Sequence, residues 1–444
     1  MRLRSLLFAC VTVVTAQCHR YQPAAPWSPP EEDAEALDGR GDAISDAHTI
    51  NSSDISQGDS SIVTGDGAAA RRVRERRCVS HALPPEDLGA APTDDGGVSI
   101  AFSGRSWGVS WTERVDGEDA VYFAAVGEHG RRIDTPVRVT ERGYRGRHPS
   151  LVWTGEQWMI VSSSGSARYD ELWVQRLNER GVAVSRARRI TGRDRFDRHP
   201  ALAAVPSGGY VLAWSTELEP RKHKIMAVRL GAWGQQLAPP IELVERTSRL
   251  SDVAVTARGD EVIVSWSAMR PTTFAIEAVR LDPLTQSTAG VARIVSAPHG
   301  LADRAPRGAV VNTAGTLTFA WEQWAHGASG VRLVHFGRRL RGELDNETIS
   351  VEDEGATLLA PALATLDDGA IVLATQRSVG EVDHSVLIET RSVDDRQLGP
   401  RIRVRGHEGV AERPLLSLGN HALAVVTRGP RGLALHRVPL VECP

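Results

Sequence analysis

Trp107-Gly-Val-Ser-Trp111 is the stretch that decides the fold, because the chain repeats it. It returns as Trp158-Met-Ile-Val-Ser162, Tyr210-Val-Leu-Ala-Trp214, Val262-Ile-Val-Ser-Trp266, Leu317-Thr-Phe-Ala-Trp321, Ile371-Val-Leu-Ala-Thr375 and Leu423-Ala-Val-Val-Thr427. Their first residues stand 51, 52, 52, 55, 54 and 52 apart. A period near 50 residues holding several strands reads as a β-propeller. In the third repeat, Pro200-Ala-Leu-Ala-Ala-Val, Tyr210 to Trp214, Ile225 to Leu230 and Ile241 to Val244 are four runs of β-formers closed by turn residues. The expectation is an all-β, seven-bladed β-propeller of four-stranded blades.

The inner strand follows a proline in five repeats, at Pro149, Pro200, Pro306, Pro361 and Pro414, where a missing N–H is tolerated. Trp111, Trp214, Trp266 and Trp321 recur at one strand position and are expected in the packing between blades. The last repeat ends after a third strand, Leu433 to Val438, so an N-terminal strand at Cys78-Val-Ser-His-Ala82 is expected to complete the seventh blade. Cys78 and Cys443 then meet across the seam and are expected to bond; the alternative is two separate thiols.

Upstream, Met1-Arg-Leu-Arg4 and the apolar Ser5 to Ala16 read as an export signal over residues 1–17, too short to span a bilayer. Either Val14-Thr-Ala16 is cut, or Cys18 becomes a lipid-modified N-terminus, which would account for an otherwise odd thiol. From His19 to about Ala70 ten acids, Glu31 to Asp66, stand against Arg20 and Arg40, and residues 18–75 are expected to be a disordered tether, leaving 76–444 for the propeller. The run Arg71-Arg-Val-Arg-Glu-Arg-Arg77 reads as a solvated basic segment or a protease-sensitive site. With a net charge of −3, the chain has no overall basic field for nucleic acid, and contact with a membrane is expected only through an N-terminal lipid.

A ligand is expected on the face bearing the inter-blade connections and the second-to-third-strand loops, since variable loops on a rigid scaffold carry binding. The connections there repeat Arg147-His148-Pro149, Arg198-His199-Pro200, Arg304-Ala305-Pro306 and Glu412-Arg413-Pro414. Arg147, His148, Arg198, His199, Arg304 and Arg413, with Trp324, form the candidate site. Guanidinium groups at the mouth suit an anionic ligand such as an acidic glycan; the competing reading pairs them with Asp197, Asp303 and Glu412 as blade-to-blade locks.

The inner strands show little ionisable chemistry beyond Arg307 and Asp252 at strand ends, so neither metal nor cofactor is expected. Gly104-Arg-Ser-Trp-Gly108 matches a hydrolase elbow but sits in a strand-to-strand turn. The export signal, tether and Trp-bearing repeats resemble the uncharacterised exported or lipoprotein-type β-propeller proteins of bacteria. That resemblance covers Cys78 to Pro444 and implies architecture rather than activity. The leading expectation is a non-catalytic envelope or secreted binding module for a glycan, peptide or protein. The alternative is an extracellular polymer-acting hydrolase or lyase, using loops such as Asp383-His384 or Trp324-Ala-His326.

Overall fold

The computed structural model describes residues 76–443 save for short stretches, the longest being 337–348. The expected signal, Cys18, the tether, most of the basic run and His326 lie outside the described residues. What is described is all-β and propeller-like, built from antiparallel four-stranded units. Val98–Phe102, Ser106–Val115, Glu118–Gly127 and Val137–Arg138 pair in that order. Ala302–Val311, Thr316–Ala325, Ala328–Phe336 and Ile349–Val351 repeat it, as do Thr357–Thr365, Ile371–Val379, Asp383–Arg391 and Ile402–Val404. Two further units, Arg145–Arg189 and Phe196–Arg246, are joined as one eight-stranded sheet by a single parallel pairing, Phe196 with Asp170.

Closure follows the expected route. Strand Gly432–Glu442 pairs on one side with Ala422–Gly429 and on the other with the N-terminal strand, Cys78 opposite Val441 and Val79 opposite Leu440. Glu86–Asp87 continues that outer strand along Leu435 and Ala434. Cys78 and Cys443 are disulfide-bonded across 365 residues of sequence. Each hydrophobic cluster straddles neighbouring units. Trp107, Val109 and Trp111 of the first pack with Ala422, Ala424 and Val426 of the last, so the ring closes on apolar contact as well as on hydrogen bonds.

The repeated Trp positions are core: Trp111, Trp266 and Trp321 are 0% exposed and Trp214 is 2%. Burying rings this large is worth about 1.5–3 kcal/mol each. Their size dictates what faces them. A Cβ on Gly108 would stand 2.8 Å from Phe123 Cε2 and 2.9 Å from Trp158 Cζ3, so only glycine lets the next unit's indole close in. Inner strands are also tied directly, the Ser99 hydroxyl accepting from the Leu151 N–H and that of Ser150 from Leu202 N–H.

One expectation about loops is corrected. The segments read as variable second-to-third-strand loops are mostly ladder: Ser106–Val115 runs into Glu118–Gly127 through Asp116 and Gly117, at φ of 54° and 81°. Paired positive-φ residues make the tight hairpin turn whose twist matches the strands, and polar side chains on the flanking residues reach water without breaking the ladder. The face is therefore one of rigid strand tips.

Asp197 is fully buried; its Oδ1 accepts from Trp214 Nε1 at 3.0 Å and from Thr216 Oγ1 at 2.6 Å. Its Oδ2 has no partner among the described residues. Burial pushes the carboxyl above its ordinary value, against the downward pull of Thr216, Thr191 and Trp214. A folded-state pKa raised above the unfolded one means that the native state holds the proton more tightly. That stabilisation is present at low pH and is lost as pH climbs from about 4 through the raised value. Asp197→Asn is expected to flatten this decline, so urea midpoints of wild type and variant, read between pH 4 and 8, should diverge progressively in the variant's favour.

Candidate functional site

The inner strands are not regular. Register shifts fall between Arg147 and Ser150, Arg198 and Ala201, Ser251 and Ala254, Arg304 and Arg307, Leu359 and Ala362, and Glu412 and Leu415. Each is a β-bulge at one repeat position. The residue before the proline adopts left-handed backbone: His148 and His199 at φ 52°, Ala360 and Arg413 at 46°. Proline denies that residue the right-handed α region and offers the ladder no N–H, so pairing breaks there. Asp252, followed by Val253 rather than proline, shows φ 53° all the same, so the ring geometry imposes the bulge and proline reinforces it. Such residues cost about 1–3 kcal/mol each and concentrate where a side chain must be re-aimed.

The bulges converge on a cavity of about 900 Å³, lined by Arg147-His148-Pro149, Arg198-His199-Pro200, Ser251-Asp252-Val253, Ala360-Pro361 and Arg413-Pro414-Leu415, with Asp170, Arg249, Glu322 and Arg428. Among the described residues, five arginines line it (Arg147, Arg198, Arg249, Arg413, Arg428) against three carboxylates (Asp170, Asp252, Glu322). Of the candidate residues, the structure brings Arg147, His148, Arg198, His199 and Arg413 together here. Arg304 occupies the matching bulge on its own strand; its side chain lies outside the described residues. Trp324 does not line the cavity: it is 46% exposed near the end of Thr316–Ala325, its indole N–H donating to Glu322 at 3.3 Å.

Two of the arginines do lock neighbouring units, but not through the expected acids. Arg147 bonds Asp119 and Arg198 bonds Asp170, each carboxylate coming from the third strand of the preceding unit. Asp119 is buried, and burial alone would push its carboxyl up; hydrogen bonds from Arg114 and Arg147 outweigh that and leave it below its ordinary value. Arg249 was missed in the sequence because it carries no His-Pro signature. It is exposed, and its guanidinium has no partner among the described residues.

The imidazoles of His148 and His199 face each other with ring centroids 4.2 Å apart. Burial lowers the pKa of His199; nearby Asp252 opposes this, while Arg249 and Arg198 reinforce it. His199 is thus held neutral at pH 7. His148 Nδ1 lies 3.1 Å from the Ser163 hydroxyl, which in turn donates to the Arg147 carbonyl. A Ser378–His384–Glu412 cluster nearby is not a catalytic relay, since hydroxyl and carboxylate both address His384 Nδ1, at 3.0 and 3.5 Å.

No protein-family model matches the chain, and no curated protein matches it. Among solved structures, it is similar to a polysaccharide lyase at 9% identity and TM-score 0.53, over 80% of this chain and 92% of that one. It is likewise similar to an ulvan lyase, described as a new family of polysaccharide lyase, at 11% identity and TM-score 0.53, over 81% and 96%. An α-L-arabinanase of Penicillium chrysogenum gives 9% identity and TM-score 0.47, over 82% and 99%. At such identities the likeness to the two lyases establishes the propeller-like fold. The expectation of a non-catalytic binding module is corrected here. The neighbours are glycan-acting enzymes, and the mouth is not bare of proton-transfer groups as the strand sequences suggested. The physical reason is the bulge: it turns His148 and His199, which precede the regular part of the inner strand, into the cavity.

Proposed function

We propose that this chain is an exported lyase acting on an acidic polysaccharide. The observation that carries the reading is a neutral histidine in ring contact with a second histidine inside an arginine-rich cavity. Arg249 neutralises the carboxylate of a uronate unit, which acidifies the C–H beside it. His199 takes that proton, the carbon–carbon double bond forms, the glycosidic C–O bond breaks, and His148 returns a proton to the leaving oxygen. Two imidazoles in ring contact suit such a division between base and acid. Hydrolysis would need two available carboxylates, whereas Asp170 is bound by Arg198 and Glu322 by the Ala360 N–H at 2.7 Å. The similarity in fold to polysaccharide lyases supports the same reading.

The finer architecture belongs to this proposal: seven blades over 76–444, exported by the signal at 1–17, on a tether at 18–75 that starts at a lipid-bearing or free Cys18. A disulfide is characteristic of oxidising compartments, which supports export.

Incubation of the full chain with polyglucuronate, pectate and ulvan, with arabinan as the neutral contrast, tests the function. New reducing ends accompanied by ultraviolet absorbance from the unsaturated acid are expected on an acidic polymer. Reducing ends without that absorbance would mean hydrolysis, and silence on every acidic polymer would overturn the reading. Arg249→Gln is expected to raise KM about tenfold, the worth of roughly one charge-assisted contact.

A further inference from the structure

The connection leading into strand Arg145–Trp153 carries an aromatic surface that the cavity chemistry does not use. Tyr144 is 47% exposed, and its ring leans on that of Trp173, centroids 6.3 Å apart and planes at 55°. Trp173 is itself held: its indole N–H donates to Glu171 Oε2 at 3.1 Å. Glu171 is buried and bridged by Arg189 and Arg193. An aromatic ring fixed from behind and open in front offers contact area at little entropic cost. Beside it, Arg142 and Arg145 are exposed, and their guanidinium groups have no partner among the described residues. Tyr144 precedes cavity-lining Arg147 by three positions, about 10 Å along an extended chain at 3.3 Å per residue.

We propose that Tyr144, backed by Trp173 and flanked by Arg142 and Arg145, is a second saccharide subsite that takes a further acidic unit of the polymer whose scissile unit occupies the cavity. The sugar's C–H face lies on the Tyr144 ring while a guanidinium meets its carboxylate or sulfate. The inference rests on the reading of the cavity as a polysaccharide site, and adds where the chain leaves it. Arg142 lies in the connection and Arg145 is the exposed first residue of the strand, neither in the core, so their replacement leaves the fold standing.

Tyr144→Ala and the double variant Arg142→Gln/Arg145→Gln test it, with polyglucuronate fractions of increasing length as probe. Two readouts apply: steady-state kinetics, and direct binding followed by tryptophan fluorescence. For long fractions, KM and the dissociation constant should both rise about five- to twentyfold in either variant with kcat within twofold, and the gap to wild type should close as the fraction shortens. Equal affinity of wild type and both variants at every length would overturn the subsite. Tyr144-dependent binding without turnover of any acidic polymer would instead overturn the lyase reading and leave the subsite standing. A fall in kcat alone would place Tyr144 in the chemistry and overturn the proposal as stated.

Discussion

Replacing Cys78 and Cys443 together by serine is expected to lower the stability of the folded domain by about 3–5 kcal/mol, the largest structural effect of any substitution considered. The bond spans 365 residues, and the chain-entropy argument gives about 6 kcal/mol for a loop this long, while removing native disulfides typically costs about 2–5 kcal/mol. The location sharpens the expectation. Cys78 is buried, and beside it the N-terminal strand pairs with Glu442, Val441 and Leu440 through few residues. Without the covalent tie, a strand this short is free to fray and expose the edge of Gly432–Glu442. Chemical denaturation of wild type and double variant should show the loss, and hydrogen exchange should localise early opening to residues 77–88 and 432–442. Equal midpoints for the two proteins would mean that the apolar contact between first and last units closes the ring unaided.

His199→Ala is expected to reduce kcat on a cleaved acidic polymer by about 10²–10⁴-fold, the range for loss of a positioned general base, with KM changed little. The backbone accepts alanine there, because Ala360 occupies the same bulge position at φ 46° against 52° for His199. The pH profile supplies an independent check. Since burial and the nearby Arg249 and Arg198 hold the imidazole below its ordinary pKa, the acid limb of kcat/KM should fall at lower pH than for a solvated histidine. Removing a positive charge by Arg249→Gln lets the pKa rise, so that limb should move to higher pH; Asp252→Asn removes a favourable negative charge and should move it lower. An acid limb that stays put in both variants would assign the titration to another group.

How much of this was legible follows from where each feature is encoded. The strands, the indoles between units and the N-terminal closing strand are written in local pattern, because burial of one strand face forces a period of two and a turn fixes where each run stops. The histidines were legible as a His-Pro repeat, yet their chemistry was not. The sequence places His148 in the connection before the inner strand, whereas the bulge between Arg147 and Ser150 turns it inward. The partners of Arg147 and Arg198 were misread for a related reason. Adjacent residues such as Asp197 and Arg198 point to opposite faces of a strand, so the sequence-adjacent acid is the one acid an arginine there is poorly placed to meet.

By itself, then, the sequence determined an all-β repeat with a propeller-like arrangement, its closure by the chain's own N-terminal strand, and the disulfide at the seam, since each depends on periodicity and end-matching along one dimension. Only the tertiary structure decided that bulges from successive units meet around one cavity, that His148 lies against His199, that Asp119 and Asp170 reach across to the next unit's arginines, and that Tyr144 rests on Trp173. Those pairs are separated by 51, 28, 28 and 29 residues, and contacts at that range are set by the stacking of one unit on the next, which no local pattern specifies.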